Sequence, residues 1–123
     1  MEAMVDSVLV VDDDPAFLAL AAQVLTGLGV TAVLTAGDAA TALAVALAER
    51  PAAALVDVDL PDRDGFDLAR QLERLPWGPR VVVTSTDREA DRAIVPATNG
   101  PDLPFIAKEE LAGCELRRRL LGE

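Results

Sequence analysis

The chain has 123 residues, the size of one domain, and its 51% apolar content suffices for a single core. Its 21 acidic against 11 basic residues give a formal net charge of -10, which repels nucleic acid and anionic lipid and favours cations or basic partners. No stretch approaches the length needed to cross a bilayer, and one cysteine, Cys114, cannot form an internal disulfide and suggests a reducing compartment. The expectation is one cytoplasmic domain over residues 1–123, with no direct contact to membrane or nucleic acid.

The first apolar run, "VLVV" at 8–11, leads into Asp12, Asp13 and Asp14. Residues 15–28 then place Phe17, Leu18, Ala21, Val24, Leu25 and Leu28 on one helical stripe, with Asp14 as cap, Pro15 at the first helical position, and Gly27 and Gly29 marking the end. "VTAVLT" at 30–35 is the second strand, and an Ala-rich helix over 38–49 follows behind Asp38 and stops before Pro51. "AAALV" at 52–56 is the third strand. The helix over 65–75 turns Phe66, Leu68, Ala69, Leu72 and Leu75 inward before the breaker "PWGP". "VVV" at 81–83 is the fourth strand; Thr86 and Glu89 have capping-box spacing for a fourth helix that Pro96 ends early. "PFIA" at 104–107 is the fifth strand, and an amphipathic helix spans 109–121.

The strand segments are uninterrupted apolar runs with no period of two, the pattern of strands covered on both faces in a parallel sheet. Five βα units with short connections predict a doubly wound, flavodoxin-like α/β fold with a five-stranded parallel sheet in the order 2-1-3-4-5. In such sheets sites form outside the carboxyl ends of the strands. The first strand delivers Asp12 and Asp13 there, the third Asp57, the fourth Thr84 and Ser85, and the fifth Lys108. Asp38, after the second strand, reads as a helix cap.

A strand running into an N-cap commonly recruits one aspartate and seldom three. Asp12, Asp13 and Asp57 together form a carboxylate cluster that is costly in a partly desolvated cleft unless a proton or a cation joins it. Oxygen ligands in a chain without histidine point to Mg²⁺. A carboxylate, a divalent ion, a hydroxyl and a lysine are the parts that phosphoryl transfer uses.

"VLVVDDDP", "ALVDVDLPDRDGFDL", "VVVTS" and "PFIAK", in this order and over essentially the whole chain, resemble the receiver domain of two-component response regulators. The resemblance implies that Asp57 is the nucleophile taking a phosphoryl group from a sensor histidine kinase or phosphotransfer protein. It implies Mg²⁺ held by Asp13 and Asp57, with Asp12 acting through water and Asp59 through its backbone carbonyl. Lys108 then pairs with Asp57, Thr84 and Ser85 belong to the switching loop, and Phe105 is the switch aromatic. The surface of the fourth helix, fifth strand and fifth helix carries the output to a downstream protein, to an effector domain absent from this chain, or to a homodimer. By the same resemblance the chain is no enzyme beyond its own phosphorylation and dephosphorylation.

Two other readings stay open on the residues alone. Asp57 and Asp59 have the spacing of the acid pair of haloacid-dehalogenase-like phosphatases, although Pro61 stands where that motif has Thr or Val; a phosphorylation-independent pseudo-receiver would keep the fold as a binding module. Glu109 follows Lys108 where many receivers have proline, so that peptide bond is expected trans. Asp62 and Asp64 are expected to shape the turn and cap the third helix, and "RRR" at 117–119 to be a solvated face.

Overall fold

The computed structural model describes residues 7–62, 64–85 and 105–107, with Ser85 and residues 105–107 as backbone. Five strands, β1 (Ser7–Val11), β2 (Ala32–Ala36), β3 (Ala53–Asp57), β4 (Arg80–Ser85) and β5 (Phe105–Ala107), form one parallel sheet in the order β2-β1-β3-β4-β5. This is the doubly wound, flavodoxin-like arrangement expected from the alternation of apolar runs and caps. The described helices are α1 (Pro15–Gly27), α2 (Ala39–Glu49) and α3 (Gly65–Glu73). The expected fourth and fifth helices, Pro96 and the peptide bond after Lys108 lie outside the described residues.

Side chains alternate across the pleat, and each face of the sheet has its own core. Val8, Val10, Ala53, Leu55 and Val82 pack with Phe17, Ala21 and Leu25 of α1. Leu9, Val11, Ala54, Val56, Val81 and Val83 pack with Ala39, Ala42 and Ala46 of α2 and Leu68, Ala69 and Leu72 of α3. Small alanines at the three buried positions of α2 let that helix lie close to the sheet. The apolar runs of β1 and β3 are thus covered on both sides, which is why neither shows a polar alternation. Burying each Val or Leu contributes roughly 1.5–3 kcal/mol before chain entropy is counted.

β2 departs from this pattern. It starts at Ala32, two residues beyond the expected start at Val30, and its residues Ala32 and Thr35 are exposed while Val33 and Leu34 are only partly buried. β2 pairs with β1 alone and forms the sheet edge, and an apolar run does not reveal whether it will lie at a centre or an edge. Val30 is buried in the turn after α1, where Gly29 takes the left-handed φ of 101° and Val30 N–H donates to the Leu25 carbonyl. α3 ends at Glu73, short of 75; the Arg74 N–H is shared among the last-turn carbonyls, and Leu75 still packs against the core.

The end of the sheet where β3 and β4 begin is closed by side chains. The Trp77 indole donates to the Pro51 carbonyl at 2.8 Å, and the Arg50 guanidinium lies 4.8 Å from the Trp77 ring centroid. Arg50 caps α2 in the left-handed region, with φ 51°.

Candidate functional site

The three consecutive aspartates have three different settings. Asp12 is fully buried; its N–H extends the β1–β2 ladder to the Ala36 carbonyl at 3.0 Å, and its Oδ1 accepts from Asp14 N–H at 2.9 Å, which turns the chain toward α1. Asp13 is exposed. Asp14 caps α1, its Oδ1 accepting from Ala16 N–H at 3.0 Å, as its place before Pro15 predicted.

β3 ends in Asp57, which is 4% exposed and whose Oδ1 accepts from Asp59 N–H at 3.3 Å. Asp12, Asp13 and Asp57 each offer a carboxylate oxygen within 4.8 Å of the others. The fold therefore brings these three predicted acids to one place. At an effective dielectric of about 20, two full charges at that 4.8 Å limit repel by roughly 3–4 kcal/mol, a large share of a small domain's stability.

The donor set suits a small hard cation. Oxygens bound to one octahedral Mg²⁺ at about 2.0–2.1 Å stand about 3 Å apart when adjacent and about 4 Å apart when opposite. Carboxylate oxygens within 4.8 Å of one another reach that spacing by small movements, or with one of them acting through water. The cluster is made of carboxylates alone, with no nitrogen or sulfur ligand in it.

Thr84 stands beside Asp57. The two are register partners on β3 and β4, so they share a face of the sheet, and Val58 N–H donates to the Thr84 carbonyl at 3.0 Å. Thr84 is 1% exposed, and among the described residues its hydroxyl has no hydrogen-bond partner. A buried hydroxyl without a partner is costly, about 1–3 kcal/mol, and is available to an acceptor arriving at the neighbouring carboxylate. Ser85 follows at the end of β4, opposite Ala107, and Phe105 opens β5 opposite Val83. Lys108 lies outside the described residues.

The loop after β3 is held tightly. Gly65 N–H donates to the Val58 carbonyl at 3.0 Å, Asp59 and Asp64 form an antiparallel bridge, and Asp64 caps α3 by accepting from Phe66 N–H at 2.9 Å. A Cβ on Gly65 would overlap the Asp57 carbonyl oxygen and lie 2.6 Å from Val58 Cα, so only glycine lets α3 approach the site so closely. Sequence reasoning passed over this residue. The available signal was a glycine in the first turn of a helix, where it costs about 1 kcal/mol relative to alanine and needs a reason.

Asp62 corrects an expectation. Asp64 caps α3 as anticipated, but Asp62 reaches across to α2, accepting from Ala39 N–H at 2.9 Å and Ala40 N–H at 3.2 Å. Asp38 caps the same helix through Thr41 N–H at 2.7 Å, as expected. Two carboxylates thus serve the first turn of α2, where unpaired N–H groups and the positive end of the helix dipole favour them.

The chain as a whole is similar to known proteins. Residues 8–110 match the response regulator receiver domain family, and the chain belongs to that family, the receiving module of two-component signalling. It is similar to a probable transcriptional regulatory protein, TcrX, of Mycobacterium tuberculosis, with 35% identity over 84% of this chain and 45% of that protein. It is also similar to the DNA-binding response regulator MtrA of Mycolicibacterium smegmatis, with 34% identity over 97% of this chain and 53% of that protein. The chain spans about half the length of these relatives. A CheY-like receiver domain protein from Methanospirillum hungatei superposes with a TM-score of 0.70 at 29% identity, covering 85% of this chain and 82% of that one. No described helix is long and apolar enough to cross a membrane.

Proposed function

We propose that this receiver is phosphorylated on Asp57. The observation that carries the reading is the buried Asp57 carboxylate, clustered with Asp12 and Asp13 and in register with a buried Thr84 hydroxyl. An Asp57 oxygen attacks the phosphorus of a phosphohistidine on a sensor kinase or phosphotransfer protein. The P–O bond forms as the P–N bond breaks, and the electron pair stays on that imidazole nitrogen while the other ring nitrogen carries a proton, leaving an aspartyl phosphate and neutral histidine.

Asp13 and Asp57 would hold Mg²⁺ directly, with Asp12 through water and Asp59 through its carbonyl. The ion supplies positive charge that offsets the carboxylates and the phosphoryl oxygens. The remaining work falls to the chain. Asp59 N–H orients the Asp57 carboxylate, Thr84 donates its hydroxyl to a phosphoryl oxygen, and Lys108 neutralises another. The gain of those bonds in the phosphorylated form shifts the population of the Thr84–Ser85 loop and Phe105.

The relatives named as transcriptional or DNA-binding regulators are about twice as long as this chain. With a net charge of -10 this part would not contact DNA itself; its state would be read by a protein target, an effector domain or a second copy. The test is incubation with acetyl phosphate and Mg²⁺, read by intact mass. One phosphoryl group per chain is expected, lost in Asp57→Asn, and sustained turnover of phosphate monoesters or no uptake overturns the reading. Beryllofluoride with Mg²⁺ is expected to shift amide signals at Thr84 and Phe105.

A further inference from the structure

The geometry points to Asp62 as a positioning residue that steadies the loop after Asp57, and with it Asp59, by tying that loop to the start of α2. This inference rests on one part of that reading, the cluster acting as a Mg²⁺ site. It concerns a residue outside that set.

The acids arrive from two strands, and both halves are fastened to the same corner, residues 36–40 between β2 and α2. On one side Asp12 N–H donates to the Ala36 carbonyl at 3.0 Å. On the other, the Asp62 carboxylate accepts from Ala39 N–H at 2.9 Å and Ala40 N–H at 3.2 Å. Between those fastenings the corner is short; Asp38 caps α2 through Thr41 N–H, and Ala39 is fully buried. β1 and β3 are themselves paired, up to Val11 with Val56, so their ladder holds the strand ends, and the corner adds a hold on the loop beyond Asp57.

Asp62 is connected to the reacting carboxylate through a short path. It lies three residues beyond Asp59, whose N–H donates to Asp57 Oδ1 at 3.3 Å. Backbone bonds among the described residues also hold the loop, to the Thr84 carbonyl, between Val58 and Gly65, and between Asp59 and Asp64. Asp62 adds a side-chain fastening to a further element, so its removal can loosen the loop while those backbone bonds stay. Asp59, bearing both an N–H to Asp57 and the carbonyl assigned to the ion, would then sample more positions. An octahedral ion tolerates such spread poorly.

The test compares Asp62→Ala and Asp62→Asn with the parent chain in Mg²⁺ titrations followed by amide NMR at Asp12, Asp13 and Asp59. Loss of an outer partner of metal-binding groups weakens metal affinity by 10-fold or more, and this more distant, solvent-exposed one is expected to raise the half-saturating Mg²⁺ concentration about 3- to 10-fold in Asp62→Ala. Asp62→Asn, which keeps one acceptor oxygen for Ala39 N–H, is expected to fall between Asp62→Ala and the parent. Phosphoryl uptake slows by the same factor at limiting Mg²⁺ and recovers at saturating Mg²⁺.

An unchanged half-saturation in Asp62→Ala overturns the inference, whether or not its melting temperature falls, because a purely structural cap would affect melting alone. Equal losses in both variants also overturn it, since charge and not the paired acceptor geometry would then be responsible. If Asp62→Ala does not fold, Asp62→Asn decides, by a raised or an unchanged half-saturation. Failure of the parent to accept phosphoryl groups while its Mg²⁺ titration responds to Asp62 would count against the proposed function and leave this inference standing.

Discussion

The two ends of the sheet are built on opposite terms. Where β3 and β4 begin, the Trp77 indole satisfies the Pro51 carbonyl and Arg50 lies over the ring, so that a polar group and a charge have found partners. Where the same strands end, two buried carboxylates and an exposed one face each other, and among the described residues the Thr84 hydroxyl has no partner. A domain of this size has little stability to spare, so such a set persists only if the rest of the fold supports it. At one end polar groups are satisfied by neighbours, and at the other acids are gathered at a cost.

The sharpest way to break this contrast is to remove a charge from the costly end. Asp57→Asn, nearly isosteric, is expected to raise stability in the absence of divalent ions by about 2 kcal/mol in urea unfolding, since it relieves repulsion and keeps an acceptor for Asp59 N–H. Mg²⁺ held as proposed is expected to close that gap in the parent chain; at about 100 times its dissociation constant it would stabilise by roughly 2.7 kcal/mol, and this gain should shrink in the variant. A less stable Asp57→Asn would show that the acids are not in tension.

Gly65→Ala probes the support beneath the site. Overlap with the Asp57 carbonyl is expected to cost about 1–3 kcal/mol and, unlike a change in the distant core, to displace the Asp57 and Val58 amide signals. At the opposite end, Trp77→Phe removes the bond to Pro51 and is expected to cost about 1 kcal/mol while leaving phosphoryl uptake intact. The smallest effect falls on Thr84→Val. Its stability should stay within about 1 kcal/mol of the parent or rise slightly, because the lost hydroxyl is buried without a bond among the described residues, while the beryllofluoride-induced shift near Phe105 disappears. A large destabilisation there would mean that the hydroxyl has a structural partner.

Element order, the parallel sheet, the caps at Asp14, Asp38 and Asp64 and the acids at the strand ends were all legible in the chain, because each depends on neighbours within a few residues. A continuous apolar run followed by aspartate states a buried strand and its exit without reference to the rest of the molecule. The half-exposed β2, the overlap that forbids a side chain at Gly65, and the reach of Asp62 to α2, 22 and 23 residues away, were not legible. Each depends on where elements distant in sequence come to rest. Local patterns set which residues end each strand, and the βα alternation with its expected strand order brought Asp12, Asp13 and Asp57 together on paper; only the packed structure decided the exposure of β2, the contact at Gly65 and the partner of Asp62, because these arise from edge position and helix packing, and a linear pattern carries neither.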